Sequence, residues 1–127
     1  MPHLAAYAIA AAGEAGGPLA ISLAAGSFRD CTRVAAAAPD MVMSWCENNT
    51  EPVLAALDDV IERLTAARTQ LATEGTAMDL AKTGQIARVR YEARPAHRPI
   101  FRLRVGEGDW INQLKLAESV GGQVDVF

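Results

Sequence analysis

The chain has 127 residues, 50% hydrophobic and 21% charged, with a net charge of −3. That is enough for one modest domain with its own core, too apolar for a disordered chain, and too acidic for general nucleic-acid binding. Cys31 and Cys46 are too few for a disulfide framework, no Cys/His cluster has metal-ligand spacing, and no apolar run is long enough to cross a membrane; a reduced, cytoplasmic setting follows.

Pro2 suits the first turn of a helix, where its missing N–H costs nothing. Residues 3–12 are apolar on nearly every face, so this helix needs cover on all sides, from a partner chain or another domain. Gly13, Gly16, Gly17 and Pro18 break it. Residues 19–25 form a short second helix ended by Gly26. Residues 28–37 form a third, stopped by Pro39. Asp40 then caps a helix over 41–47.

The strongest helical pattern starts at Asn49 or Thr50, with Pro52 early in the helix. Leu54, Leu57, Ile61, Leu64 and Leu71 follow near-heptad spacing, with Val53 and Val60 beside them. Such a seam packs on another helix, in the same subunit or a partner. Gly75 ends it, Thr76 caps the next, and helical periodicity runs on to about Ala93. Pro95 and Pro99 bracket a linker containing His97.

The period then changes. Phe101, Leu103 and Val105 alternate with arginines, as in a strand. Gly106 and Gly108 turn the chain, Asp109 caps a helix through Leu116, and Gly121-Gly122 stops it. Val124 and Val126 mark a closing strand. The division is a helical body over 1–94 and a small β-α-β extension over 95–127.

Two stretches hold the unusual charges. Six arginines (Arg88, Arg90, Arg94, Arg98, Arg102, Arg104) fall between 88 and 104. Only Tyr91 and Phe101 interleave with them, which favours a solvated helix and strand face over a nucleic-acid surface. The second stretch is Gly26-Ser27-Phe28-Arg29-Asp30-Cys31-Thr32-Arg33-Val34, set between alanine-rich segments. Buried charge needs a partner. Either Asp30 neutralises an arginine, or an anionic ligand does, or the segment lies at a surface. Cys31 reads as a small buried hydrophobe and Trp45 as core. No glycine-rich phosphate loop follows a strand, and no nucleophile constellation is visible, so this chain alone is not a complete enzyme.

Leu23 to Ala35, followed by Ala38-Pro39-Asp40, resembles the "AAGGFRDxTRIAxxxP" signature of the prephenate/arogenate dehydrogenase family. Met1-Pro2-His3-Leu4 resembles its "SH(L/M)PH" motif cut in the middle, and Trp45-Cys46-Glu47-Asn48-Asn49 a third segment. The resemblance covers about residues 1–92. It implies a mainly α fold, a 6-phosphogluconate-dehydrogenase C-terminal-like helical dimerisation domain, here with the β-α-β extension. It implies a homodimer, and a missing N-terminal Rossmann domain that holds NAD or NADP and a catalytic histidine. The reaction implied is oxidative decarboxylation of prephenate, or of arogenate, in tyrosine biosynthesis; the fragment alone would be inactive. Carried over residue by residue, Arg33 would bind a substrate carboxylate, His3 would line the pocket, and Asp30 would orient the arginine or gate the cleft. The other reading is a non-catalytic helical dimerisation or regulatory module that binds an aromatic amino acid.

Overall fold

A computed structural model describes residues 1–94 and 97–127. The fold is mainly α, with one two-stranded sheet. The chain forms two compact units, Met1–Thr76 and Ala77–Phe127. Pro95, one end of the expected linker, lies outside the described residues.

The first unit is helical throughout. Helix α1 (Pro2–Ala15) starts with Pro2 in its first turn, as expected. It does not break at Gly13, which lies inside the helix. A Cβ there would come within 2.5 Å of the Phe28 ring, so the missing side chain admits a neighbouring ring. The break falls instead at Gly16 and Gly17, where Gly17 takes φ +83° and opens α2 (Gly17–Leu23).

Gly26 does not end α2. The chain turns at Ala24 and Ala25, both extended, and Gly26 is the first residue of α3 (Gly26–Thr32). The expected long third helix is likewise two pieces. At Arg33 the α-helix tightens into a 3-10 turn, Arg33–Ala36. Ala38 is extended because the next residue is proline. Pro39, not Met41, then opens α4 (Pro39–Glu47); Asp40 stands in its first turn rather than at the cap.

Helix α5 (Thr50–Glu74) packs on α4 and runs for 25 residues. The Asn49 amide donates to the Trp45 carbonyl at 2.9 Å, closing α4 rather than capping α5. Gly75, at φ +72°, ends the helix in the left-handed conformation that favours glycine. Val53, Leu57, Val60 and Ala67 are half-buried, whereas Leu54, Ile61, Leu64 and Leu71 stay exposed. In this unit only Ala6 of α1 and Val42 of α4 are fully buried among the described residues. Cys31, expected inside, is exposed.

The second unit holds α6 (Met78–Glu92), β1 (Ile100–Leu103), α7 (Trp110–Ser119) and β2 (Gln123–Val126). Thr76 does not cap α6; Ala77 stands at that position without a side-chain bond. The two strands pair in parallel with Phe101 opposite Val124 and Leu103 opposite Val126, and α7 packs on both. A parallel pair needs such a crossover. Phe101 is half-buried and Leu103 buried, but Val105 lies past the strand and is exposed. Gly106 and Gly108 turn the chain at positive φ. A Cβ on Gly122 would come within 2.7 Å of the Phe101 ring, so this glycine lets the sheet close over the helix end.

Candidate functional site

Two helices and one turn place the expected site residues. Helix α1 packs against α3 and against the 33–36 turn. Two contacts set the register. Gly13 faces Phe28, and the Tyr7 hydroxyl donates to the Ala37 carbonyl at 2.8 Å. The segment 28–37 therefore runs antiparallel to α1, with Arg33 near the level of Ala10. His3 lies about two turns away along α1, ~10 Å at 1.5 Å per residue. The two residues therefore stand at different levels along α1.

Arg33 is exposed and sits where α3 passes into the 3-10 turn. Asp30 and Asp40 are the carboxylates nearest to it in sequence, and a salt bridge to either would close it. The structure has neither: Asp30 accepts from Arg29 Nε at 3.3 Å, and both of those side chains are more than two-thirds exposed. Arg33 makes no ion pair among the described residues, so its guanidinium fork is open to an anion. Asp30 thus pairs with Arg29. Thr32 donates to the Phe28 carbonyl at 2.7 Å, a bond within its own turn that leaves it unavailable as a cap.

His3 is half-buried and meets Trp45 of α4 edge to face, with ring centroids 5.5 Å apart and planes at 73°. Trp45 is 50% exposed, so it is not the core residue expected from the sequence. It walls the imidazole instead, a geometry worth about 1 kcal/mol beyond area burial. Tyr7 and Trp45 were missed as neighbours of the site. A signal was there for one of them: Tyr7 stands four residues after His3, on the same face of α1.

Among the described residues the chain shows no complete glycine-rich dinucleotide loop. Its one strand–glycine turn–helix unit, from β1 through Gly106 and Gly108 to α7, carries Glu107 and Asp109 at the helix start. Their carboxylates repel a pyrophosphate, and Ile111 stands where the pattern has its third glycine, the one that lets helix and strand pack closely. In the arginine-rich stretch the Tyr91 ring is covered by its own arginines. Arg94 lies 3.4 Å over the Tyr91 ring with Arg88 at 5.3 Å. Arg88, Arg102 and Arg104 pair with Glu92, Asp125 and Glu107. Among the described residues no group of His, Cys, Asp and Glu could hold a metal ion, and no helix is long and apolar enough to cross a membrane.

The family model for the prephenate dehydrogenase dimerization domain matches residues 1–84. The chain belongs to that family. The match takes in α1 to α5 and the first turns of α6, and with them His3, Asp30 and Arg33. A solved structure of a candidate prephenate dehydrogenase from Corynebacterium glutamicum is similar over 99% of the chain, at 43% identity and a TM-score of 0.81. The chain spans 40% of the length of that protein. No curated protein matches. The mainly helical architecture expected from the sequence is therefore that of the family, and the neighbour's fold extends through the β-α-β unit.

Proposed function

We propose that this chain is the substrate-gripping and dimer-forming part of an NAD(P)-dependent prephenate dehydrogenase. The observation that carries the reading is the open guanidinium of Arg33, exposed beside a carboxylate that is already engaged elsewhere. In this reading prephenate loses CO2 as a hydride passes to the nicotinamide, giving 4-hydroxyphenylpyruvate and a reduced cofactor. Loss of CO2 makes the ring aromatic, so the protein's main task is to hold a dianion in place. Arg33 binds one carboxylate through two parallel N–H···O bonds. His3, held edge-on by Trp45, offers a ring nitrogen to another polar group of the substrate. Asp30 keeps Arg29 turned outward, away from the anion. The cofactor, NAD or NADP, is held by an N-terminal Rossmann domain, in keeping with the acidic turn at Glu107 and Asp109. Arogenate, which differs from prephenate in its side chain, is the alternative substrate.

A homodimer completes the picture. The chain exposes 9892 Å², whereas two separate compact bodies of its units' sizes would expose ~7,800 Å². The surplus includes Leu54, Ile61, Leu64 and Leu71 on one side of α5, each more than half exposed. A second copy that covers this seam would bury it as an obligate interface does. The division proposed is a substrate and dimer body over residues 1–94 with an appended β-α-β unit over 95–127. The two free cysteines suit a cytoplasmic setting.

Steady-state kinetics of the full-length protein test the reading. Arg33→Ala should raise KM for prephenate about 30-fold or more, the scale of a lost charge-assisted pair. Arg33→Lys should recover only part, because an ammonium cannot form the paired bonds. An unchanged KM in Arg33→Ala would end the assignment, and the ratio of prephenate to arogenate turnover decides the substrate.

A further inference from the structure

We propose that Tyr7 is a positioning residue for the carboxylate grip: its hydroxyl, bound to the Ala37 carbonyl, fixes the Arg33 turn against the helix that carries His3. This inference rests on the reading of Arg33 as a ligand-binding residue.

The turn needs such a tie. It is a single 3-10 turn between an α-helix and an extended residue, with the weaker hydrogen-bond geometry of that form. From Ala35 to Ala38 it presents only methyl groups, which pack but give no direction. Its Ala37 N–H donates back into the turn, to Val34 at 3.2 Å. Its carbonyl is held from outside the turn, by Tyr7. The bond spans thirty positions of sequence and is partly buried. Ser22, Thr32, Asn48, Asn49 and Thr69 use their side chains on carbonyls within their own turn.

The neighbours of the bond explain what it aligns. One turn before Tyr7 stands His3 against Trp45, and Ala6, beside Tyr7, is buried. Two turns after Tyr7, Gly13 admits the Phe28 ring. One face of α1 therefore touches α4, the end of the 3-10 turn, and α3 in succession. The hydroxyl is the directional contact in that series, and it lies between the two proposed grips. Without it the turn can slide along an alanine surface, and the guanidinium follows the backbone.

The test is a double-mutant cycle on prephenate affinity in the full-length protein, with Tyr7→Phe and Arg33→Ala. Tyr7→Phe keeps the ring that fills the interface and removes only the oxygen. Expected is about five-fold weaker binding in the native background, the fold-change of one lost hydrogen bond, and little or none in the Arg33→Ala background. A merely structural role would give the same change in both backgrounds, and that result overturns the proposal. So does unchanged affinity in Tyr7→Phe while Arg33→Ala binds weakly. If Arg33→Ala itself binds normally, the site reading falls first, and the two failures are told apart. Circular dichroism on each variant confirms the fold. Should Tyr7→Phe prove unstable, the amide proton and nitrogen shifts of Arg33 in the native protein decide: the proposal requires them to move on prephenate binding together with the Ala37 carbonyl shift, and a silent Ala37 overturns it.

Discussion

Gly13 and Gly84 both lie inside helices, and the same substitution should move stability in opposite directions. In α6 nothing lies within 4 Å of a Cβ built on Gly84. Gly84→Ala therefore gains only helix propensity, about 1 kcal/mol. In α1 the same gain is opposed by the Phe28 ring. A Cβ on Gly13 would stand 2.5 Å from one ring carbon and 2.7 Å from the next, against a comfortable carbon–carbon separation of about 3.5–4.0 Å. The overlap is about 1 Å, and Phe28 is half-buried, so relief requires the ring to swing out of its place on α1 or the two helices to part. Overpacking of that kind costs about 1–3 kcal/mol. The upper part of that range outweighs the propensity gain, for a net loss of about 1 kcal/mol. In bodies of this size 1 kcal/mol shifts the unfolding midpoint by about 4–8 °C. The assay is thermal unfolding at fixed protein concentration, followed by the two tryptophans. Trp45 reports the unit that holds Gly13, and Trp110 the unit that holds Gly84. Expected is a fall at Trp45 for Gly13→Ala and a rise at Trp110 for Gly84→Ala. If Gly13→Ala stabilises as Gly84→Ala does, the ring contact that sets the α1 register is absent, and the placement of Arg33 near Ala10 goes with it.

Two further outcomes follow from the surface. Ile61→Asp or Leu64→Asp on α5 should leave the helix content of the chain unchanged, because both positions are more than half exposed, yet convert dimers to monomers in sedimentation, since an unpaired carboxylate in a closed apolar seam costs several kcal/mol. A dimer that survives both substitutions would refute the proposed seam. The Arg63 guanidinium, donating to Asp59 at 2.9 Å, holds the Asp59 carboxyl below its ordinary value. A lowered carboxyl contributes stability above the ordinary carboxylate range and loses it as pH falls through its own value. The midpoint difference between the native chain and Asp59→Asn should be small, because both side chains are more than half exposed, greatest near neutral pH, and gone in strong acid; a difference that grows on acidification would reverse the sign.

Periodicity was informative about local structure. The heptad spacing from Leu54 to Leu71 located α5, and Gly75 marked its end, because a left-handed cap has few alternatives to glycine. The parallel β-α-β unit was also legible: its alternation, glycine turns and closing valines all indicate the same chain path. The glycines and alanines of residues 10–40 were not. Gly13 and Gly26 read as stops by local preference, but one admits a ring and the other opens a helix. Local preference cannot see a side chain that arrives from fifteen residues away. Cys31 and Trp45 read as core by residue type, yet with so few residues buried in the unit there is little core for them to enter.

The candidate site divides in the same way. By itself the sequence determined the mainly helical class, the family and the residues that could meet an anion, because the FRDxTR pattern and the guanidinium chemistry are local. Tertiary structure alone decided which arginine is open. Asp30 is three residues from Arg33 and adjacent to Arg29, and only folded coordinates show that it pairs with the latter. Tertiary structure also decided what stands beside each grip: Trp45 against His3, and Tyr7 on the Ala37 carbonyl. These contacts join residues thirty and more positions apart, and no spacing rule within one helix or strand reaches that far. The physical reason is that α1 touches three later segments along one face, and that face exists only once the chain has folded back on it.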